Sequence, residues 1–227
     1  LRRCDVDFVM RPHVSINMAM TADGKIASAN RTVSTFGSRA DHAHLLALRD
    51  KADAILTGAG TLNAQAQVTL GPGPKSKAKP PLRIIASGSG RVDPRHKIFR
   101  RPGAPVLVLS SDGISRSRLK NLEAAAHTVK IFGADEINFN LALVWLQKEW
   151  GVKRLLCEGG GQLNDALFRA DVVDEVNLTV CPLILGGREA PTIAEGLGFA
   201  QLKDAAQFSL KSRRQVGNEL FLVYRKA

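Results

Sequence analysis

The sequence predicts an α/β fold built on one mixed, mostly parallel sheet. Three observations predict it. Short apolar and β-branched runs alternate with stretches of helical periodicity along the chain. Glycine-rich turns follow several of these runs, at the strand ends where open α/β sheets collect ligands. The alternation fails only at the C-terminus, where two neighbouring runs flank a Gly217-Asn218 turn and read as an antiparallel hairpin. At 227 residues the chain is long enough to bury a full core as one domain.

Strands are expected over residues 13–20, 54–57, 82–86, 105–109, 128–132, 154–157 and 175–180, runs rich in Val, Ile and Leu. Ser38 is the expected N-cap of a first helix over 42–51, with Asp41 three residues on as its capping-box partner. A second helix, 116–126, follows Ser115. A third, 141–150, sets Leu141, Val144, Trp145 and Lys148 on one face at helical spacing. A fourth, 162–170, starts directly after three glycines. The hairpin strands, 208–213 and 219–224, flank Gln215-Val216-Gly217-Asn218. Residues 71–81, with four prolines and two glycines, form a loop too short to separate two domains. A single domain over 1–227 is expected, with 1–10 as an N-terminal extension.

The net charge is +11, yet no basic recognition helix and no aromatic-interleaved basic sheet is present, so nucleic acid is not the expected partner. Residues 54–92 hold no carboxylate and carry Lys75, Lys77, Lys79, Arg83 and Arg91, a field suited to phosphorylated small molecules. No apolar run reaches membrane-spanning length and the first residues lack the apolar stretch of a secretory signal, so the expected compartment is the cytoplasm. Cys4, Cys157 and Cys181 cannot make a disulfide framework, and the latter two sit in apolar runs where a thiol acts as a small hydrophobe. Without Cys-x-x-Cys or paired histidines at ligand spacing, no metal site is expected.

The most informative stretch is Leu155-Leu156-Cys157-Glu158-Gly159-Gly160-Gly161-Gln162-Leu163-Asn164: an apolar strand, a carboxylate, three glycines, then a helix. Such a turn admits close backbone approach, and the helix start offers free N–H groups to a phosphate. Three further turns resemble it in kind: Gly58-Ala59-Gly60-Thr61, Ser87-Gly88-Ser89-Gly90-Arg91 and Leu185-Gly186-Gly187-Arg188. The spaced-glycine dinucleotide fingerprint is absent, so a nicotinamide cofactor would not bind in the Rossmann manner. Ser87 and Arg91 could meet a 2′-phosphate, favouring NADPH over NADH. Asp23-Gly24-Lys25 makes a good turn, and Asp23 could also orient a neighbouring loop or a substrate group. No Ser-His-Asp set and no zinc-deaminase signature occurs.

As a set, Asn17-Met18-Ala19-Met20-Thr21-Ala22-Asp23-Gly24-Lys25, Leu48-Arg49, Gly58-Ala59-Gly60-Thr61, Glu158-Gly159-Gly160-Gly161, Val173-Asp174-Glu175-Val176 and the block from Cys181 to Thr192 resemble one family. It is the pyrimidine reductases of riboflavin biosynthesis, found as the C-terminal domain of a bacterial deaminase–reductase and as stand-alone archaeal and fungal enzymes. The triple glycine and the last block look closest to the stand-alone archaeal type. The resemblance runs from Arg11 to the final hairpin and implies a dihydrofolate-reductase-like three-layer α/β/α fold, a homodimer, no deaminase domain, and NADPH as cofactor.

The implied reaction reduces a ribosylamino-pyrimidine 5′-phosphate, either 5-amino-6-(5-phosphoribosylamino)uracil or its 2,5-diamino precursor, to the ribitylamino form by hydride transfer to sugar C1′. It needs positioning rather than a nucleophile. By position, Ala19, Thr61, Ser87, Gly160, Gly161, Gln162, Leu163 and Asn164 would contact NADPH, with Arg91 beside them. Ser34, Arg49 and Glu158 would face the substrate, and Glu158 and Asp23 would act as positioning groups. One departure stands out. Where the family shows Asp-Asp-Pro, this chain has Asn63-Ala64-Gln65-Ala66, and Gln65, at the cofactor, lacks the charge of the expected Asp. That leaves open another heterocycle, such as a pterin, on the same fold and cofactor. The net charge keeps a non-enzymatic nucleotide- or nucleic-acid-binding module as the alternative from a different class.

Overall fold

Nine strands among the described residues form one sheet, and the first seven of them run parallel. The computed structural model describes residues 10–31, 36–74 and 79–227. The strands are β1 (His13–Thr21), β2 (Ala54–Gly58), β3 (Leu82–Ala86), β4 (Val106–Ser110), β5 (Thr128–Ile131), β6 (Arg154–Cys157), β7 (Glu175–Cys181), β8 (Phe208–Val216) and β9 (Glu219–Lys226). Their order across the sheet is β5-β4-β3-β2-β6-β1-β7-β9-β8, with β9 antiparallel to both β7 and β8. The helices are α1 (Arg39–Arg49), α2 (Ala59–Ala64), α3 (Lys97–Arg100), α4 (Arg116–Ala125), α5 (Phe139–Trp150) and α6 (Gly161–Arg169).

Side chains alternate across each strand, so the central strands feed two cores. Leu56, Ile84, Leu107 and Leu109 pack with Leu143 and Leu146 of α5 and Leu167 of α6 on one face. Ile55, Ile85 and Val108 pack with Leu62 of α2, Ile98 of α3 and Leu122 of α4 on the other. β3 and β4 are buried at every position, which is why they read as unbroken apolar runs. The result is a mixed sheet between two helical layers. The far edge is different: most of β8 is exposed, and Lys211, Arg213 and Arg214 place charge on an edge strand that would otherwise invite pairing. No helix among the described residues is long and apolar enough to cross a membrane.

Several boundaries differ from expectation for physical reasons. α1 begins at Arg39, because the Ser38 hydroxyl accepts from the Ala40 and Asp41 amides. Asp41 does not complete a capping box: Glu219 accepts the Ser38 amide at 2.7 Å and its hydroxyl at 2.5 Å. α5 begins at Phe139, with Asn138 accepting from the Leu141 amide, and buries Phe139, Ala142, Leu143 and Leu146. Leu141, the first residue of the face expected from spacing, is exposed, because the buried stripe runs through Phe139, Ala142, Leu143 and Leu146 instead. β8 continues to Val216, so the hairpin turns tightly over Gly217 and Asn218, with Gly217 at φ +58°. The short α2 and α3 were not foreseen; six and four residues are too few to show periodicity.

Candidate active site

The chain leaves β1 for β2, builds outward through β3, β4 and β5, and returns to lay β6 between β2 and β1. A crevice opens at such a switch point, at the carboxyl ends of the strands. Three of the four glycine turns converge there. A groove of about 660 Å³ is lined by Gly58 at the end of β2 and Gly60 in α2, by Ser87 and Arg91 after β3, and by the Gly160–Leu163 start of α6. A smaller cavity of about 350 Å³ adjoins it, walled by Asn17, Ala19, Asp41, Arg49, Gln65 and Glu158. The two share Arg31, Gly60, Gly160, Gly161 and Glu195.

The turns are stitched together through the backbone. The Gly58 amide and the Thr57 hydroxyl both donate to the Gly159 carbonyl, at 3.0 and 3.2 Å, and the Gly160 amide donates to Thr61 Oγ1 at 3.0 Å. Gly159 holds φ +76°, and a Cβ there would sit 2.5 Å from Met18 Sδ. At Gly161 a Cβ would meet the Thr192 carbonyl oxygen at 2.6 Å. Gly60 is different in kind: nothing lies within 4 Å of where its Cβ would be, and that open space borders both cavities.

In the smaller cavity Arg49 and Glu158, each expected to face a substrate, face each other. Arg49 Nε and Nη2 donate to the two Glu158 oxygens at 2.6 Å each, and Nη1 donates to the Gly71 carbonyl at 3.1 Å. Their side chains are only 17% and 13% exposed, so this fork is held in a low-dielectric wall. At the rim Arg31 pairs with Glu195 at 2.8 Å. On the floor, Asn17 Oδ1 is buried with no hydrogen-bond partner among the described residues, and on the adjoining strand the buried Thr179 hydroxyl faces the Asp41 carboxyl. Burial raises the Asp41 carboxyl above its ordinary pKa, and nearby Glu219 acts in the same direction. Burial pushes both Cys157 and Cys181 up to about 12, so neither offers a thiolate.

The remaining sequence-derived residues divide by position. Ser87, Arg91, Gly160, Gly161, Gln162 and Leu163 line the larger groove, whereas Ala19, Thr61 and Gln65 line the smaller cavity. Gln65 caps α2, and its carbonyl accepts from the Val68 amide. Asn164 lies behind the groove: it is fully buried, its Nδ2 donates to the Ile193 carbonyl at 2.7 Å, and its Oδ1 accepts from Cys157 Sγ. Asp23 lines neither cavity. It accepts from Thr21 Oγ1 and from the Leu185 and Gly186 amides, bonds that hold its carboxyl down at about 2. The fourth glycine turn is therefore anchored to Asp23 rather than added to the groove.

The same clamp continues through Lys25, whose Nζ donates to the Ala190 carbonyl, and through the Ile26 amide, which donates to the Pro191 carbonyl. It fixes the segment that presents Pro191 and Glu195 to the cavity. Ser34, Lys75 and Lys77 lie outside the described residues. Sequence reasoning missed Asn17, Arg31, Glu195 and the cavity role of Asp41. Asn17 alone left a signal, an amide in an otherwise apolar strand.

Comparison with known proteins agrees with this architecture. Several curated relatives carry the name 2,5-diamino-6-ribosylamino-4(3H)-pyrimidinone 5′-phosphate reductase. The one from Methanothermobacter thermautotrophicus is 32% identical over 216 residues, covering 95% of this chain and 98% of the relative. The one from Archaeoglobus fulgidus is 30% identical, covering 84% and 89%. Among solved structures, a pyrimidine reductase-like protein from Corynebacterium diphtheriae superposes with a TM-score of 0.78 at 19% identity, over 95% of this chain and 92% of that one. Acinetobacter baumannii RibD superposes with a TM-score of 0.75 at 20% identity over 96% of this chain, which spans 58% of the RibD chain. At those identities the structures speak for the fold. The RibD C-terminal domain model matches residues 12–222, and the chain belongs to that family.

Proposed function

We propose that this protein is an NADPH-dependent reductase that converts a ribosylamino-pyrimidine 5′-phosphate of riboflavin biosynthesis to its ribitylamino form. The observation that carries the proposal is the pair of adjoining cavities, a long glycine-lined groove opening into a smaller polar chamber past Gly60, Gly160 and Gly161. On this reading a dinucleotide occupies the first and a heterocycle the second. The open Cβ position at Gly60 is the kind of space a ligand fills, and the unpaired Asn17 Oδ1 calls for a donor such as a ring amino group. The names of the relatives support the same substrate class.

NADPH, when bound, supplies the hydride. The Gly160–Leu163 start of α6 would hold its pyrophosphate, and Ser87 with the exposed Arg91 its 2′-phosphate. In the chamber, the Arg49–Glu158 fork presents a fixed carboxylate edge, and Asn17 offers an acceptor on the floor. Wall and floor together hold the sugar and ring in one orientation, so rate enhancement comes from positioning. A homodimer and a cytoplasmic location complete the proposal. The exposed Ile184, Leu202 and Leu210 on the C-terminal side support a second copy. The test is NADPH consumption with the diamino-pyrimidinone ribosyl phosphate and with its deaminated counterpart. Consumption with either supports the proposal, and consumption with neither overturns it.

A further inference from the structure

Reduction of an imine at C1′ takes one proton as well as one hydride, and the cavity contains three carboxyl groups that could give it: Glu158, Glu195 and Asp41. Glu158 is locked in a two-bond fork with Arg49, and Glu195 is paired with Arg31. Each guanidinium occupies carboxylate lone pairs that a proton would need. Asp41 is the one of the three with no ion pair among the described residues. It stands in the first turn of α1, and the capping bond expected of it goes to Glu219 instead. Asn17 Oδ1, buried without a hydrogen-bond partner among the described residues, lines the same cavity, and the Thr179 hydroxyl faces the Asp41 carboxyl from β7.

We propose that Asp41 is the proton donor of the reaction, passing its carboxyl proton to the imine nitrogen as C1′ takes the hydride. The proposal rests on the reductase assignment made above. The balance is simple. The C1′–H bond forms with the two electrons of the hydride, the imine π pair moves to nitrogen, and the nitrogen takes the Asp41 proton. NADPH leaves as NADP⁺, and the Asp41 carboxylate is reprotonated from water. Burial and Glu219 on β9 favour the neutral acid; the Thr179 hydroxyl on β7 and the charges of His42 and His44 on the same helix act the other way, and the first two prevail. Cys181 faces Asp41 from β7, and the Arg49–Glu158 and Arg31–Glu195 pairs are charge-balanced. Burial and Glu219 both disfavour the Asp41 anion, a shift in the direction a general acid needs.

The experiment compares wild type with Asp41→Asn and Asp41→Glu. In wild type, kcat should fall as pH rises through the Asp41 pKa. Asp41→Asn should lower kcat by about 100-fold and lose that limb, while its affinity for NADPH, measured by fluorescence titration, stays within about twofold of wild type. Asp41→Glu should recover part of the rate. Carboxyl ¹³C NMR of the ligand-free protein, assigned by the Asp41→Asn difference, should show Asp41 titrating above an ordinary aspartate. The proposal falls if Asp41→Asn keeps kcat and its pH profile, or if the NMR midpoint is ordinary or low. If wild type consumes no NADPH with either pyrimidine, the reductase assignment itself falls and takes the proton donor with it.

Discussion

Replacing Arg49 with Ala tests whether the wall of the smaller cavity is built as described. The substitution removes two charge-assisted bonds of 2.6 Å and leaves the Glu158 carboxylate, 13% exposed, without its counter-ion. Breaking a fully buried pair by removing one partner costs about 3–5 kcal/mol, and an exposed pair is worth about 0–1. With both side chains mostly covered, but not sealed, the loss should be about 2–3 kcal/mol. For a domain of this size that is a fall in Tm of about 5–10 °C. Thermal unfolding of Arg49→Ala, Glu158→Gln and the double variant gives the coupling directly, and it should exceed about 1 kcal/mol. NADPH affinity should be unchanged, since neither residue lines the larger groove. A Tm for Arg49→Ala indistinguishable from wild type, with no coupling in the cycle, would refute the fork as a structural wall.

Three further outcomes are expected. Gly60→Ala should fold with an unchanged Tm, because its Cβ meets no protein atom, yet weaken NADPH binding at least about tenfold by intruding where the cavities meet; equal affinity in an isothermal titration would remove Gly60 from the ligand path. Asp23 has its folded pKa lowered to about 2, so the bonds to Leu185 and Gly186 contribute above about pH 4 and are lost as pH falls through about 2. The amide shifts of those two residues should titrate with that low midpoint, and a midpoint near 4 would show that the clamp does not form. Arg91→Ala should weaken NADPH binding by about 1–3 kcal/mol while leaving NADH unaffected, and a parallel loss for both cofactors would place the 2′-phosphate elsewhere.

The layered fold was legible because its central strands, β3 and β4 above all, are buried on both faces and so stand out as apolar runs, and because the crossovers leave helical stretches between them. The glycine turns were legible too, since positive φ and close approach leave no substitute for glycine at Gly159. What the sequence could not show is who pairs with whom. Arg49 and Glu158 lie 109 residues apart, and each reads as a free charged group until the fold joins them. Asp23 looked like a candidate for substrate orientation because a carboxylate in an Asp-Gly turn carries no mark of its partners, here two amides more than 160 residues away. Asn164 sits in the helix that follows the glycines, but α6 turns it inward to hold the 193 loop. Asp41 reads as a capping-box partner of Ser38 because Ser-x-x-Asp is a local pattern; the long-range Glu219 contact that displaces it is not.

The most direct test of the central claim follows one atom. Purified protein is given NADPH deuterated at the transferable position together with the diamino-pyrimidinone ribosyl phosphate or its deaminated counterpart, and the product is examined by NMR and mass spectrometry. Deuterium at C1′ of a ribitylamino product is the predicted result, and the substrate that yields it fixes which pyrimidine this chain takes. Unchanged ribosylamino substrate in both incubations, with NADPH intact, would contradict the account.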